Sequence, residues 1–148
     1  MVNASKAWVF QANPERYNIK EAINHMHKID WRVNQYSNEM SAGDIVYIWM
    51  SGPEAGIYAQ AILTEAPSKR APISFDENFF NKKEPIDAQE YVLLEIQRRF
   101  LHRPLLKSTM KDYEILKDLN IVTAPMGTNF RIPAEPRLLI EDILKTLI

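Results

Sequence analysis

The side chains that most often carry chemistry are present but not arranged for catalysis. The three histidines are His25, His27 and His102. His25 and His27 lie two apart on a predicted helix and so face different directions. His102 stands alone in a basic run. None has metal-ligand spacing, and no HExxH motif occurs. With no cysteine, thiolate nucleophiles, thiolate metal sites and disulfides are excluded. The four glycines fall at neither GxGxxG nor P-loop spacing, and there is no GxSxG elbow. No catalytic residue, metal ligand or cofactor is assigned.

Binding of a flat ligand is better supplied. Between Trp31 and Ala61, two apolar runs flank a connection carrying Gly52, Pro53 and Gly56, the pattern of a hairpin with a longer loop. Strand aromatics beside such a polar loop can wall a pocket. Trp8, Phe10, Tyr47, Trp49 and Tyr58 fall on predicted strands, where aromatics are mostly core. Trp31, beside polar Asn34, and the group Phe75, Phe79 and Phe80 fall where strands end or loops begin. For these, pocket and core are equally open.

A second feature is electrostatic. From Gln97 to Lys111 there is no acidic residue, while Arg98, Arg99, His102, Arg103, Lys107 and Lys111 fall inside. Such a stretch can neutralise phosphates and make binding salt-sensitive; it reads equally as a solvated charged loop. The formal net charge of −1 gives no global attraction to nucleic acid, so a binder would need a local patch.

The elements that must position these residues fit one domain in 148 residues. The sequence shows no signal-peptide pattern and no apolar run approaching a membrane span, so a cytoplasmic location is expected. Ala7–Gln11 reads as a strand ended by Asn13-Pro14. A helix follows, with Asn18 as N-cap, Glu21 at capping-box spacing and an apolar stripe of Ile19, Ala22, Ile23 and Met26. Asp30–Val33 is extended and Ser37–Met40 a short helix. Gly43-Asp44 is a turn launching the hairpin of about Ile45–Leu63. Residues 64–88 read as a long loop, Tyr91–Gln97 as a strand, Asp112–Leu119 as a short helix and Phe130–Ile132 as a strand. A last helix starts near Ala134–Pro136, with Leu138, Leu139, Ile143 and Leu147 on its apolar stripe. Many strands with few βαβ crossovers imply an α+β fold, a curved, mostly antiparallel sheet or barrel with helices outside.

The run Trp8-Val9-Phe10-Gln11-Ala12-Asn13-Pro14 resembles the first strand of EVE domains. So does the series Trp31-Arg32-Val33-Asn34, Met40, Gly43-Asp44, Val46-Tyr47-Ile48-Trp49 and Gly56-Ile57-Tyr58-Ala59; Phe130-Arg131-Ile132-Pro133 is similar to the closing strand. The resemblance covers nearly the whole chain. It implies a PUA-like curved mixed sheet with flanking helices, related to YTH domains, and a non-enzymatic reader of modified bases, with modified cytosine in DNA the usual expectation. By that resemblance Trp31 is a base wall and Asn34 a reader of the base edge. Asn13 and Ser51 are further polar contacts, and Trp49, Tyr58 and Phe79 are candidates for the second wall. Arg98, Arg99, Arg103 and Lys107 would hold phosphates, a reading from charge alone. Longer family members carry Gly-Val-Arg-Asn after the tryptophan where this chain has Arg32-Val33-Asn34, so the pocket floor is expected to differ. No nuclease segment is visible; a role in restriction or repair would require a nuclease partner.

Three readings compete: a reader of modified DNA, a reader of modified RNA, and an enzyme acting on a nucleotide or small metabolite. The last has no candidate titratable residue.

Overall fold

The computed structural model describes residues 5–72 and 89–147. The expected loop aromatics Phe75, Phe79 and Phe80 lie outside the described residues. The strands are β1 (Ala7–Ala12), β2 (Lys28–Arg32), β3 (Ile45–Met50), β4 (Gly56–Leu63), β5 (Ser68–Arg70), β6 (Gln89–Arg99), β7 (Leu105–Leu106) and β8 (Asn129–Ile132). The helices are α1 (Ile19–His25), α2 (Lys107–Met110), α3 (Asn120–Thr123) and α4 (Ala134–Lys145), with a 3-10 turn at Ser37–Glu39. The strands form one sheet in the order β2-β6-β4-β3-β1-β8, with β5 added to β6 and β7 to β4. The β1–β3 pair is parallel and all other pairings are antiparallel. Register shifts at Ile48/Trp49 and at Gln60/Ala61 bend the sheet. The result is the expected α+β architecture, a curled mixed sheet with helices packed outside.

Both faces of the sheet are covered, which is why the central strands are apolar at successive positions rather than alternating. On one face Trp8, Phe10, Ile48, Met50, Val92 and Leu94 pack with Ile19, Ala22 and Ile23 of α1. On the other face Val9, Tyr47, Trp49, Phe130 and Ile132 pack with Met110, Ile121, Ile140 and Leu144. Strand periodicity thus sends Trp49 to one core and its neighbours Ile48 and Met50 to the other.

The Gly43-Asp44 turn does more than launch β3. Asp44 is 2% exposed, and its carboxylate accepts from the Lys6 N–H, the Trp8 indole N–H and the Ser41 N–H at 3.0–3.1 Å. It anchors β1 to the hairpin.

Four expectations are corrected, the last being the place of Leu138 on the apolar stripe of the final helix. Asn18 is the N-cap residue of α1, but its side chain makes no cap hydrogen bond. Glu21 does not complete a capping box; it meets His25 at 3.1 Å, one turn on. Residues 112–119 form no helix. Their backbone makes isolated turns, with the Tyr113 carbonyl accepting from both Leu116 and Lys117. Only Leu116 in this segment is fully buried, too little to offset helix nucleation. In α4, Ile140 and Leu144 face the sheet, one turn apart, and Leu138 is turned outward, 68% exposed.

Candidate functional site

The parallel pairing of β1 with β3 brings the carboxyl ends of both strands to one rim of the sheet. The Ser51 N–H donates to the Ala12 carbonyl just past the last pair. Because β8 runs antiparallel to β1, its start lies at the same rim, and the Gln11 N–H donates to the Thr128 carbonyl. The chain leaving β2 arrives there too. Asn34 donates from its amide nitrogen Nδ2 to Thr128 Oγ1 at 2.7 Å. The rim therefore gathers Asn13, Asn34, Ser51 and Thr128 from four chain segments.

A cleft of about 360 Å³ opens here between the β1–α1 turn and the β3–β4 loop. Pro14, Ile19, Met50 and Pro53 give it apolar surface, while Asn18, Lys20, Ser51 and Glu54 supply donors and acceptors. Gly52 holds its far side. With φ of +104° it adopts a conformation that disfavours other residues, and a side chain there would meet the Pro14 ring at 3.7 Å. At the mouth, Lys20 Nζ lies 3.5 Å from Glu54 Oε2 and 5.3 Å from the centre of the Tyr58 ring. The Lys20 and Glu54 side chains are 44% and 71% exposed; so wet an ion pair is readily rearranged around a ligand. The Tyr58 hydroxyl donates to the Glu54 carbonyl at 2.6 Å, fixing the loop. Burial, then the Glu54 charge, pushes the Tyr58 phenol above its ordinary value.

The rim is braced by amide side chains. Asn129 Oδ1 accepts from the N–H groups of Asn34 and Gln35 at 2.8 and 3.2 Å. Gln35 Oε1 accepts in return from the N–H groups of Thr128 and Asn129 at 3.0 and 2.9 Å. Tyr36 follows with φ of +61°, its half-exposed ring 5.6 Å from that of Trp8. A tyrosine in this backbone region is strained and persists because the flanking bonds impose it.

Of the residues singled out from sequence, Asn13, Asn34 and Ser51 lie along the same rim without touching one another. The candidate walls do not. Trp31 is 7% exposed and packs on Phe10, ring centres 6.1 Å apart. It belongs to the core cluster with Ile29, Phe10 and Val92, which leaves little of its ring open to a stacked base. Trp49, 1% exposed, lies in the core on the opposite face of the sheet. Tyr58, 2% exposed, sits in the core on the α1 face, behind the cleft. None of these three lines the cleft, and Phe79 lies outside the described residues.

The basic run divides as well. Neighbours on a strand point to opposite faces. Arg98 points toward α4, where its guanidinium binds Gln60 Oε1 and, at 2.8 Å, Glu141 Oε2. Arg99 points toward α1 and donates to the Ile23 and Met26 carbonyls at 2.8 and 2.9 Å, satisfying the end of that helix. Arg98 and Arg99 are thus structural, and the expected phosphate set of Arg98, Arg99, Arg103 and Lys107 shares no single surface. Arg103 is exposed after β6, and Lys107 opens α2.

Sequence reasoning missed Gln11, Gln35, Thr128 and Asn129, which build the rim, and the exposed Arg16 and Arg32 on segments leading to it. Among the described residues, the Arg16 and Arg32 side chains make no hydrogen bond or ion pair. Arg32 lies inside the motif run around Trp31 and could have been noticed there. The amide partners are 93–97 positions apart, a pairing no local pattern reveals.

A curled mixed sheet with its helices outside and this rim defines a PUA-like α+β domain. Residues 6–143 match the EVE domain model, and the chain belongs to that family. Its fold is shared with a hypothetical protein from Leishmania major, at TM-score 0.71 and 16% identity with 96% of each chain covered. A Pseudomonas putida protein aligns at TM-score 0.69 and 20% identity, over 93% of this chain and 98% of that one. Human THYN1, solved in complex with 5-methylcytosine-containing DNA, aligns at TM-score 0.64 and 16% identity, over 94% and 97%. No curated protein matches the chain. No helix is long and apolar enough to cross a membrane among the described residues.

Proposed function

We propose that this protein is a non-enzymatic reader of modified DNA that takes a single base, a modified cytosine, into the cleft at the carboxyl ends of β1 and β3. The observation that carries the reading is the cleft itself. Its volume of about 360 Å³ is at the low end of the roughly 300–1,000 Å³ of ligand pockets, which suits one base rather than a larger ligand. Pro14, Ile19 and Met50 offer apolar contact to a flat ring and a methyl group. Ser51, Asn18, Lys20 and Glu54 offer both donors and acceptors for a base edge. Asn13 adjoins the cleft residue Pro14, and Asn34 stands farther along the rim beside Thr128, where the flanking nucleotide would pass. Turning a base out of the stack costs a few kcal/mol, which contacts in the pocket and at the phosphates must offset. The DNA-bound structure of THYN1, a protein of the same fold, supports DNA as the ligand.

The reading assigns no chemical step to the cleft. Strand cleavage, if the protein acts in restriction, would fall to a nuclease partner. The test is binding to matched oligonucleotides, DNA and RNA, with and without 5-methylcytosine, over a range of salt. The expected result is tightest binding to methylated DNA. Tighter binding to modified RNA would favour the RNA reading, and equal binding to all four would reject base reading.

A further inference from the structure

Met126 is the most exposed large apolar side chain among the described residues, at 89%, yet the loop that carries it is built rather than loose. Gln11 Nε2 donates to the carbonyls on both sides of it, Pro125 O at 3.1 Å and Gly127 O at 2.8 Å. The Met126 N–H donates to the Ala124 carbonyl at 2.8 Å. The next residues are fixed by the Gln35 amide. Gly127 has φ of +116°, and a Cβ there would press on that same amide at 3.2 Å. Three chain segments thus hold an apolar side chain outward into water, at a cost in exposed surface that packing does not explain.

Its place is informative. Thr128, two residues on, sits at the rim beside Asn34. Thr128 lies just before β8, Gln11 within β1 and Ser51 just after β3, so the loop and the cleft lie about two strand spacings apart, roughly 10 Å. A duplex delivering a base to the cleft would lie across this loop. An unbranched, polarisable side chain such as methionine enters between base steps and fills vacated space.

We propose that Met126 is a wedge that enters the DNA stack and occupies the gap left by the base turned into the cleft. The inference rests on the base-reader function. The test compares wild type, Met126→Ala and Met126→Leu on a short duplex carrying one 5-methylcytosine, on the same duplex unmethylated and on the methylated strand alone. A single strand has no paired stack to hold open, so the wedge acts on the duplex. Met126→Ala is expected to weaken duplex binding roughly tenfold to a hundredfold, part of the few kcal/mol that unstacking costs. Single-strand binding should stay unchanged, and Met126→Leu should restore most of the loss. With 2-aminopurine beside the methylated base, wild type should raise its fluorescence more than Met126→Ala does. Duplex binding unchanged in Met126→Ala, or equal losses on duplex and single strand, would overturn the wedge while leaving base reading intact. Wild type with no preference for the methylated duplex would overturn both.

Discussion

Gln35 and Asn129 hold each other's backbone. Each side-chain oxygen accepts N–H groups of the other's segment, and Asn129 Nδ2 also reaches the Arg32 carbonyl at 3.3 Å. β2 and β8 are the two ends of the strand order. This pair therefore closes the curl of the sheet at the rim, using side chains where a continuous barrel would use a strand ladder.

Asn129 is 2% exposed, and Asn129→Ala leaves the part-buried N–H groups of Asn34 and Gln35 without their acceptor. It should cost about 2–4 kcal/mol, two groups at the usual penalty. Gln35→Ala should cost somewhat less, since Gln35 is closer to water. A double-mutant cycle followed by urea denaturation should show strong coupling, with the double variant losing less than the sum. Additive losses would mean that the two residues act independently.

Trp31→Ala should destabilise the protein by about 3–5 kcal/mol, the range for emptying a buried aromatic site. Any binding defect would then follow unfolding. Asn34→Ala is the cleaner probe of the rim. Its side chain is exposed and gives up one bond to Thr128, so thermal stability should move little while binding to the methylated duplex weakens. A Trp31→Ala protein of normal stability would place the indole outside the core.

The phosphate contacts should come from Arg16 and Arg32 rather than from Arg98 and Arg99. Changing Arg16 or Arg32 to Ala should lower the slope of log binding constant against log salt by about 1 each. Arg98→Ala should instead leave Glu141 and Gln60 short of a partner and lower the melting temperature. A slope that falls with Arg98→Ala and not with Arg16→Ala would restore the strand-borne patch.

Tyr47 links stability to alkaline pH. Burial, then its 2.5 Å hydrogen bond to Glu141, raises its phenol far above the ordinary value. The folded state thus favours the neutral phenol. This contribution is full below the unfolded tyrosine pKa of about 10 and is lost as pH rises above it. Tyr58 shifts in the same direction. Unfolding free energy measured from pH 8 upward should decline beyond about pH 10. Tyr47→Phe should flatten that decline while lowering neutral stability by about 1 kcal/mol, one hydrogen bond. An equally steep decline in Tyr47→Phe would remove Tyr47 as its cause.

The architecture was legible because it rests on local signals. Val and Ile runs with turn residues between them mark β1, β3, β4 and β6, and Asn13-Pro14 and Gly43-Asp44 punctuate them as expected. The site was legible only in part. Asn13, Asn34 and Ser51 sit at strand ends, where position alone suggests a rim. Burial is a tertiary property, so nothing near Trp31 in the chain announces that Phe10 covers it. Arg98 and Arg99 read as one patch in sequence, yet β6 periodicity sends them to opposite faces, where Glu141 and the end of α1 receive them.

The position of β1 has a consequence in time. Although it comes first in the chain, β1 is sandwiched between β3 and β8, and β8 begins only at Asn129. Until that last strand emerges from the ribosome, one edge of β1 is unpaired, the clamp has no Asn129 and the Met126 loop has no anchor at Thr128. Such distant pairing makes for slow folding. A growing chain therefore completes its rim only when β8 is in place, and a fragment ending before Asn129 carries only part of it.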